Sequence, residues 1–319
     1  MTENPRFDIT LAGEINLDIL LYGLPEDIPV ERELLASSCC VTLGSSSAIT
    51  AHNLSVLGSR VGFITRVGRD DFGATALGRL RAAGVDLSKI TESPTLNTGV
   101  TMVLPHPESR HILTYPGSMA EMTVEHLDME YLASARHFHL SSYFLHRGLI
   151  PQIPELFRRI KAAGLTISCD TNDDPDDQWG ATFPEALQFV DVLMPNEREA
   201  CKIARTDNFE NAIQKLAATV PLLIVKMGSK GAMAVRGAER IHCEPIAVEV
   251  VDPLGAGDTF NAGFLHEYVR GADLGACLES GNLAAAFSTT RSGGTEAFRD
   301  PALWAQFQEL HRPPDNREM

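Results

Sequence analysis

The stretch Asp252-Pro253-Leu254-Gly255-Ala256-Gly257-Asp258-Thr259-Phe260 sets two glycines and a carboxylate where a loop gives way to a helix. Phe260, Phe264, Leu265 and Tyr268 recur behind it at helical spacing, which predicts a helix starting near Asp258. Glycines let backbone N–H groups converge on one point, and a helix N-terminus adds unsatisfied donors and the positive end of a dipole. Such a turn suits a phosphate or another anion. A carboxylate beside it repels the anion, unless it works as a general base on a hydroxyl that attacks a phosphoryl group. Taken alone, Gly-Ala-Gly-Asp is also what a short turn and an Asp N-cap look like.

Outward from this turn the chain alternates between two periodicities. Strands are expected at 7–11, 61–65, 138–140, 165–169, 190–194 and 222–226, and helices at 48–57, 72–83, 151–163, 197–204 and 208–218. The alternation implies an α/β fold, with a parallel sheet covered by helices and ligands at the carboxyl ends of the strands. Two stretches, about 15–43 and 98–116, are strand-like with no helix between. Residues 99–104 and 111–115 read as a hairpin turning at His106-Pro107-Glu108-Ser109. They are expected to form a small β lid over the sheet edge, the alternative being extra strands of the main sheet.

With 319 residues, 44% of them hydrophobic, the chain can bury one large α/β core. A net charge of −15 argues against nucleic-acid backbones and anionic membranes as partners, though a nest of N–H groups can still hold a nucleotide on an acidic protein. The cysteines Cys39, Cys40, Cys169, Cys201, Cys243 and Cys277 include no Cys-x-x-Cys pair and read as reduced thiols of a cytoplasmic protein. No basic start precedes an apolar run, and no run reaches the ~18 apolar residues of a membrane span. No Gly-x-Gly-x-x-Gly follows the first strand, and Gly228-Ser229-Lys230-Gly231 is too short for a P-loop. A bound nucleotide must therefore use the late glycine-rich turn.

Met194-Pro195-Asn196-Glu197-Arg198-Glu199 lies at another strand-to-helix junction. Asn196 and Glu199, three apart, can face one cleft, and two hard oxygen ligands suit a hydrated Mg2+. Spacing alone favours a helix cap with its partner. Together these features resemble the ribokinase (PfkB) family of sugar and nucleoside kinases. Asp252 to Phe260 is similar to its C-terminal signature, and Asn196 to Glu199 to its magnesium motif. Leu43-Gly44 through Leu57-Gly58, then Arg66-Val67-Gly68-Arg69-Asp70-Asp71-Phe72-Gly73, is similar to its N-terminal signature. Asn282-Leu283-Ala284-Ala285-Ala286, leading to Arg291, resembles its nucleotide-side helix. Order and spacing agree over about 7–300.

The resemblance implies a single ribokinase-like domain over 1–319, a mostly parallel doubly wound sheet with a β lid whose exposed strands suggest a homodimer. It implies ATP and Mg2+ as cofactors and leaves open K+ near Asp252. Asp258 would be the base, and the N–H groups of Gly255, Ala256 and Gly257 would stabilise the transferring phosphoryl group. Asn196 and Glu199 would hold Mg2+ through water. Asn16 and Asp18 would bind sugar hydroxyls beside Gly44 and Ser45; a carboxylate and an amide past a strand end suit a diol, and turn chemistry is the alternative. Lys226, Gly228, Gly231 and Asn282 would line the nucleotide side, unless Lys226 is a solvated surface lysine.

Departures from the family pattern bear on the acceptor. The family's Gly-Gly-x-x-x-Asn reads Gly44-Ser45-Ser46-Ser47-Ala48-Ile49, so a glycine and a sugar-binding Asn are replaced, and Leu254 stands where Thr is common. Ribose is therefore not the expected sugar. In Cys169-Asp170-Thr171-Asn172-Asp173-Asp174-Pro175-Asp176-Asp177, acids follow Asn172, which speaks against an acidic sugar by like-charge repulsion. Thr65-Arg66-Val67-Gly68 resembles sugar-acid kinases instead, so Arg66 is either a substrate contact or a partner of Asp70 or Asp71. No Lys/Arg cluster marks a site for a phosphorylated sugar. The leading expectation is an ATP-dependent kinase acting on a hydroxyl, taken as primary, of a neutral monosaccharide or related polyol. The alternatives are a sugar-acid (2-keto-3-deoxygluconate-type) kinase, a nucleoside kinase, whose base Ile49 would suit, and a non-catalytic sugar-binding member of the fold. An intact Asp258 disfavours the last.

Overall fold

The computed structural model describes residues 5–106, 109–180 and 182–311. In chain order its strands are β1 (Ile9–Ala12), β2 (Asn16–Tyr22), β3 (Ser38–Gly44), β4 (Val61–Ile64), β5 (Arg66–Gly68), β6 (Thr91–Ser93), β7 (Gly99–Pro105), β8 (Arg110–Tyr115), β9 (His137–Leu140), β10 (Thr166–Cys169), β11 (Val192–Leu193), β12 (Leu222–Lys226), β13 (Ala232–Arg236) and β14 (Glu239–Cys243). Its α-helices are α1 (Ser46–Val56), α2 (Asp71–Ala82), α3 (Met129–Ala133), α4 (Ile153–Ala162), α5 (Phe183–Leu187), α6 (Glu197–Ala204), α7 (Phe209–Ala217), α8 (Ala256–Tyr268), α9 (Leu274–Ser288) and α10 (Pro301–Leu310).

Among the described residues, eight strands form one sheet in the order β14-β13-β12-β11-β10-β9-β1-β4. From β4 to β12 neighbours run parallel, and β13 and β14 close the edge antiparallel. β1, β4, β9 and β11 are buried at every position, as strands covered by helices on both faces must be. The chain steps from β1 out to β4 and later returns to the other flank of β1 for β9. The strand order therefore reverses there, which is where sheets of this kind form their ligand crevice, at the carboxyl ends of the strands. One face packs Phe138, Phe157, Ile153 and Leu193. The other packs Ile9, Leu11 and Phe63 with Phe260 and Phe264 of α8 and Leu278 of α9. No helix of the described residues is long and apolar enough to cross a membrane.

The stretches that lacked helices form a separate four-stranded sheet, order β3-β2-β7-β8, rather than extra strands of the large one. The β7–β8 hairpin is present; Pro107 and Glu108, at its expected turn, lie outside the described residues. Elsewhere the differences are at ends: α8 starts at Ala256, two residues earlier than expected, because Gly255 takes the N-cap position. The strand expected over 190–194 keeps sheet pairing only at Val192–Leu193.

Candidate active site

Gly255 holds a left-handed backbone (φ 74°), the conformation that glycine adopts without steric cost. A Cβ there would lie 2.6 Å from the Gly294 Cα and 3.2 Å from Ile49 Cδ1. Ile49, which stands where the family pattern has a sugar-binding Asn, is buried and backs this turn. The Ala256 N–H donates to Pro253 O at 3.2 Å, so the donors that helix geometry leaves for an anion are those of Gly257 and Asp258 rather than of Ala256. Asp258 is buried in the first turn of α8. Burial, then the charge of Asp170, pushes its carboxyl up to about 7, against the pull of Lys226 and of a hydrogen bond from Ser46.

Lys226, at the end of β12, is no solvated lysine. Its Nζ donates to Asp170 Oδ2, just past β10, and lies 3.5 Å from Asn261 Oδ1 on α8. Asn261 Nδ2 donates to the same Asp170 oxygen. Burial would lower the lysine's affinity for its proton, but Asp170 and Glu199 outweigh it and hold the ammonium above its ordinary range.

Asn196 and Glu199 form a complete capping box at the start of α6. Asn196 Oδ1 accepts from the Glu199 N–H at 2.9 Å, Glu199 Oε2 accepts from the Asn196 N–H at 2.9 Å, and Asn196 Nδ2 donates to Glu199 Oε1 at 2.6 Å. Burial and the Asp170 charge push the Glu199 carboxyl up to about 7, partly offset by Lys226. Among the described residues no group of three or more His, Cys, Asp or Glu could hold a metal by itself. A pair already committed to N–H donors fits an ion that keeps its water shell and its phosphate ligands, which is how Mg2+ is usually bound.

Asn16 and Asp18 project from β2, in register with Gly44 and Thr42 of β3. Asn16 Nδ2 donates to Thr101 Oγ1 at 2.6 Å, and its Oδ1 is buried with no partner among the described residues. Burial and the charge of Asp252 push the Asp18 carboxyl up to about 7. A Cβ on Gly44 would sit 2.1 Å from Asp18 Oδ1 and 2.4 Å from Asn16 Oδ1, so only glycine leaves room for the pair. Ser45 keeps a glycine-like backbone (φ 70°, ψ 139°). Its Oγ donates to Glu14 O at 2.6 Å and accepts from the Ala48 N–H at 3.3 Å, so its hydroxyl serves the helix start.

Arg66 pairs with Glu121 at 3.3 Å, not with Asp70 or Asp71. Asp70 is occupied as the cap of α2, accepting from the N–H groups of Gly73 and Thr98. The acids after Asn172 are also committed. Asp173 pairs with Arg198, Asp176 with Arg147 and Asp177 with Lys202. Asp174 is buried and accepts three backbone N–H bonds from Asp176, Gln178 and Trp179. Their charges are spent within their own loop and its neighbours, so the like-charge argument against an acidic sugar does not hold.

Some residues of the site had no sequence signal. Glu14 is buried 2.9 Å from His146; burial pushes its carboxyl up, but the charge and hydrogen bond of His146 and the hydrogen bond from Ser47 together outweigh this and hold it down to about 2. Ser47 adds two hydrogen bonds to it, from N–H and Oγ. Asn172 Nδ2 donates to Ser46 Oγ and Ser142 Oγ, linking the 170–174 loop to the neighbour of Asp258.

On the other side of the turn, Lys226, Gly228, Gly231 and Asn282 line one cleft of about 470 Å³ together with Ala256 and Gly257. Asn282 Nδ2 donates to the carbonyls of Cys243 (3.1 Å) and Glu244 (2.9 Å), fixing the loop that leads into the opposite wall. The cleft thus joins the nucleotide-side residues to the turn, and Asp258 in that turn lies within the reach of Asp170, Lys226, Ser46 and Glu14.

The family model described as pfkB family carbohydrate kinase matches residues 8–301. The ATP-dependent ribose-1-phosphate kinase of Halopiger xanaduensis is 30% identical over 306 residues, covering 93% of this chain and 97% of that one. The adenosine kinase structure of Sinorhizobium meliloti superimposes with a TM-score of 0.81 at 26% identity, covering 91% of this chain and 95% of that one. A candidate ribokinase II of Escherichia coli, solved in complex with ATP and Mg2+, gives 0.81 at 26%, covering 96% and 100%. With the reversed strand order, the glycine turn and its buried acid, this match places the chain in the pfkB family of carbohydrate kinases, as an ATP-dependent sugar kinase whose acceptor is an alcohol group.

Proposed function

We propose that this kinase transfers the γ-phosphoryl group of ATP to a hydroxyl, read as primary, of a neutral monosaccharide or related polyol. One observation carries the choice of acceptor. Three cations on the elements around the site are matched by carboxylates: Lys226 by Asp170, Arg66 by Glu121 and Arg79 by Glu296. Asp18, within reach of the charge of Asp252, has no ion-pair partner among the described residues, nor does Asp252. An anionic acceptor would meet no uncompensated positive charge there.

Asp258 takes the proton of the attacking hydroxyl, and the N–H donors of the turn from Gly255 to Asp258 stabilise charge on the phosphoryl group. Asn16 and Asp18 orient the acceptor, beneath a small sheet that acts as a lid. The 470 Å³ cleft takes the nucleotide. Asn196 and Glu199 would hold Mg2+ through water; when bound, it neutralises phosphate charge. Both Asp252 oxygens accept backbone N–H bonds, from Leu254 at 2.9 Å and Gly293 at 2.8 Å, so this carboxylate is not an idle ligand for K+. Faster turnover in K+ than in choline at equal ionic strength would establish a K+ role.

β8 is exposed throughout, with Ile112, Leu113 and Tyr115 in solvent, which supports pairing of the small sheet with a second copy. A monomer by sedimentation velocity at micromolar concentration rejects that. The acceptor is tested by ADP release across neutral sugars, sugar acids, sugar phosphates and nucleosides, each with ATP and Mg2+. Turnover confined to the anionic sugars or to nucleosides rejects the neutral reading.

A further inference from the structure

Thr42, in register with Asp18 on the small sheet, is tied to the far end of the chain. Its Oγ1 donates to Glu296 Oε1 at 2.9 Å across 254 residues of sequence. The same Glu296 carboxylate accepts from Arg79 of α2 and, at 3.0 Å, from Arg299. The other Nη of Arg79 donates to Val41 O at 2.7 Å, so β3 is hooked at two consecutive residues. Immediately before Glu296, the chain touches both the strand and the anion turn. A Cβ on Gly293 would fall 2.5 Å from Thr42 Cγ2, and the Gly293 N–H donates to Asp252 Oδ2 at 2.8 Å. Gly294 is the residue against which Gly255 rests. An unbroken set of contacts thus runs from β3 through Thr42 and Glu296 to Gly293, Gly294 and the turn that opens α8.

A partly buried carboxylate gripped by two guanidinium groups gives little net stability, because desolvation offsets most of its Coulomb gain. Its placement gives it another use. We propose that Glu296 is a positioning residue that couples occupancy of the anion turn to the small sheet: with phosphate at Gly255–Asp258, segment 293–296 is fixed, and through Thr42 it holds β3 and Asp18 in place for the acceptor. The proposal rests on the reading of that turn as the nucleotide phosphate site.

Backbone hydrogen exchange tests it without a known acceptor, using the non-hydrolysable ATP analogue AMP-PNP with Mg2+ as the probe. In the wild type, AMP-PNP should slow exchange at 255–258 and also at 38–44. Thr42→Ser, which keeps the hydroxyl, should behave alike. Thr42→Val, close in shape, and Glu296→Ala should keep the protection at 255–258 and lose the added protection at 38–44. Thr42→Val keeps the test alive should Glu296→Ala fail to fold. Equal protection of 38–44 in wild type and Thr42→Val overturns the coupling, as does wild-type protection confined to 255–258. If AMP-PNP protects neither segment in the wild type, the phosphate-site reading falls and the coupling with it.

Discussion

Lys226 ends β12 and Asp170 follows directly on β10, the two strands that flank β11, and their side chains pair across it, the carboxylate fully buried and the lysine 12% exposed. Asp170→Asn leaves an ammonium in that place without its counter-charge. The fold should lose about 3–5 kcal/mol, measured by urea unfolding, and Asp170→Asn with Lys226→Met should recover most of it. A single variant as stable as the wild type would mean that water reaches the pair.

The buried acids set an unusual pH dependence. Asp18, Glu199 and Asp258 stand at about 7 in the fold, against 3.8, 4.5 and 3.8 as free groups. Each holds its proton more tightly when folded, so its contribution to stability is complete below the unfolded value and lost as pH rises through about 7. Glu14 acts oppositely: held down to about 2 against 4.5, it stabilises above 4.5 and loses that as pH falls. From these groups, thermal unfolding of the ligand-free protein should show a maximum near pH ~4 and a decline from there through pH ~7. A midpoint still rising at pH ~8 would contradict these assignments.

Asp258→Asn removes the proposed base while keeping size and burial. Phosphoryl transfer should fall by about 10²–10⁴-fold, with ADP affinity by calorimetry close to that of the wild type. In the wild type, kcat/KM should rise with pH through about 7, because only the ionised carboxyl accepts a proton. Near-normal turnover in the variant removes Asp258 from the mechanism.

Gly44→Ala sets a methyl group against Asp18 and Asn16. Overpacking of about 1–3 kcal/mol corresponds to roughly 5- to 150-fold weaker acceptor binding. The effect should appear in the KM of whichever sugar proves to be phosphorylated, and ADP affinity should not move. Equal losses for both ligands would place Gly44 in the general packing of the fold.

Ser45 separates backbone strain from hydrogen bonding. Its φ of 70° costs about 1–3 kcal/mol in a non-glycine residue, and its hydroxyl offsets part of that through Glu14 O and the Ala48 N–H. Ser45→Ala keeps the strain and loses the bonds, so it should destabilise by about 0.5–2 kcal/mol. Ser45→Gly loses both and should stay within about 1 kcal/mol of the wild type. Equal losses in the two variants, by chemical denaturation, would show that the backbone is relaxed.

What could be read from the sequence was local. The Gly255–Asp258 turn and the Asn196–Glu199 box are each complete within four residues, and strand–helix alternation announces a parallel sheet segment by segment. What could not be read depends on partners far along the chain. Asp170 meets Lys226 across 56 residues and Asn261 across 91, so the role of Lys226 was invisible beside its own neighbours. The run 173–177 looks like unbalanced acid in the sequence for the same reason: its partners Arg198, Arg147 and Lys202 arrive from other elements. Ser45 shows a subtler limit. A changed residue type suggests a changed site, while the backbone at Ser45 has the positive φ that glycine adopts without cost.

The tie between Thr42 and Glu296 also bears on how the protein is made. The β3 strand and the 293–296 segment that anchors it are synthesised at opposite ends of a long interval. A nascent chain can fold its central strands and helices as they emerge, but Thr42 finds its carboxylate only after residue 296 has left the ribosome. Until then the growing polypeptide lacks both the Gly294 support behind Gly255 and the clasp on β3. Activity should arise late and abruptly during translation, not grow with chain length.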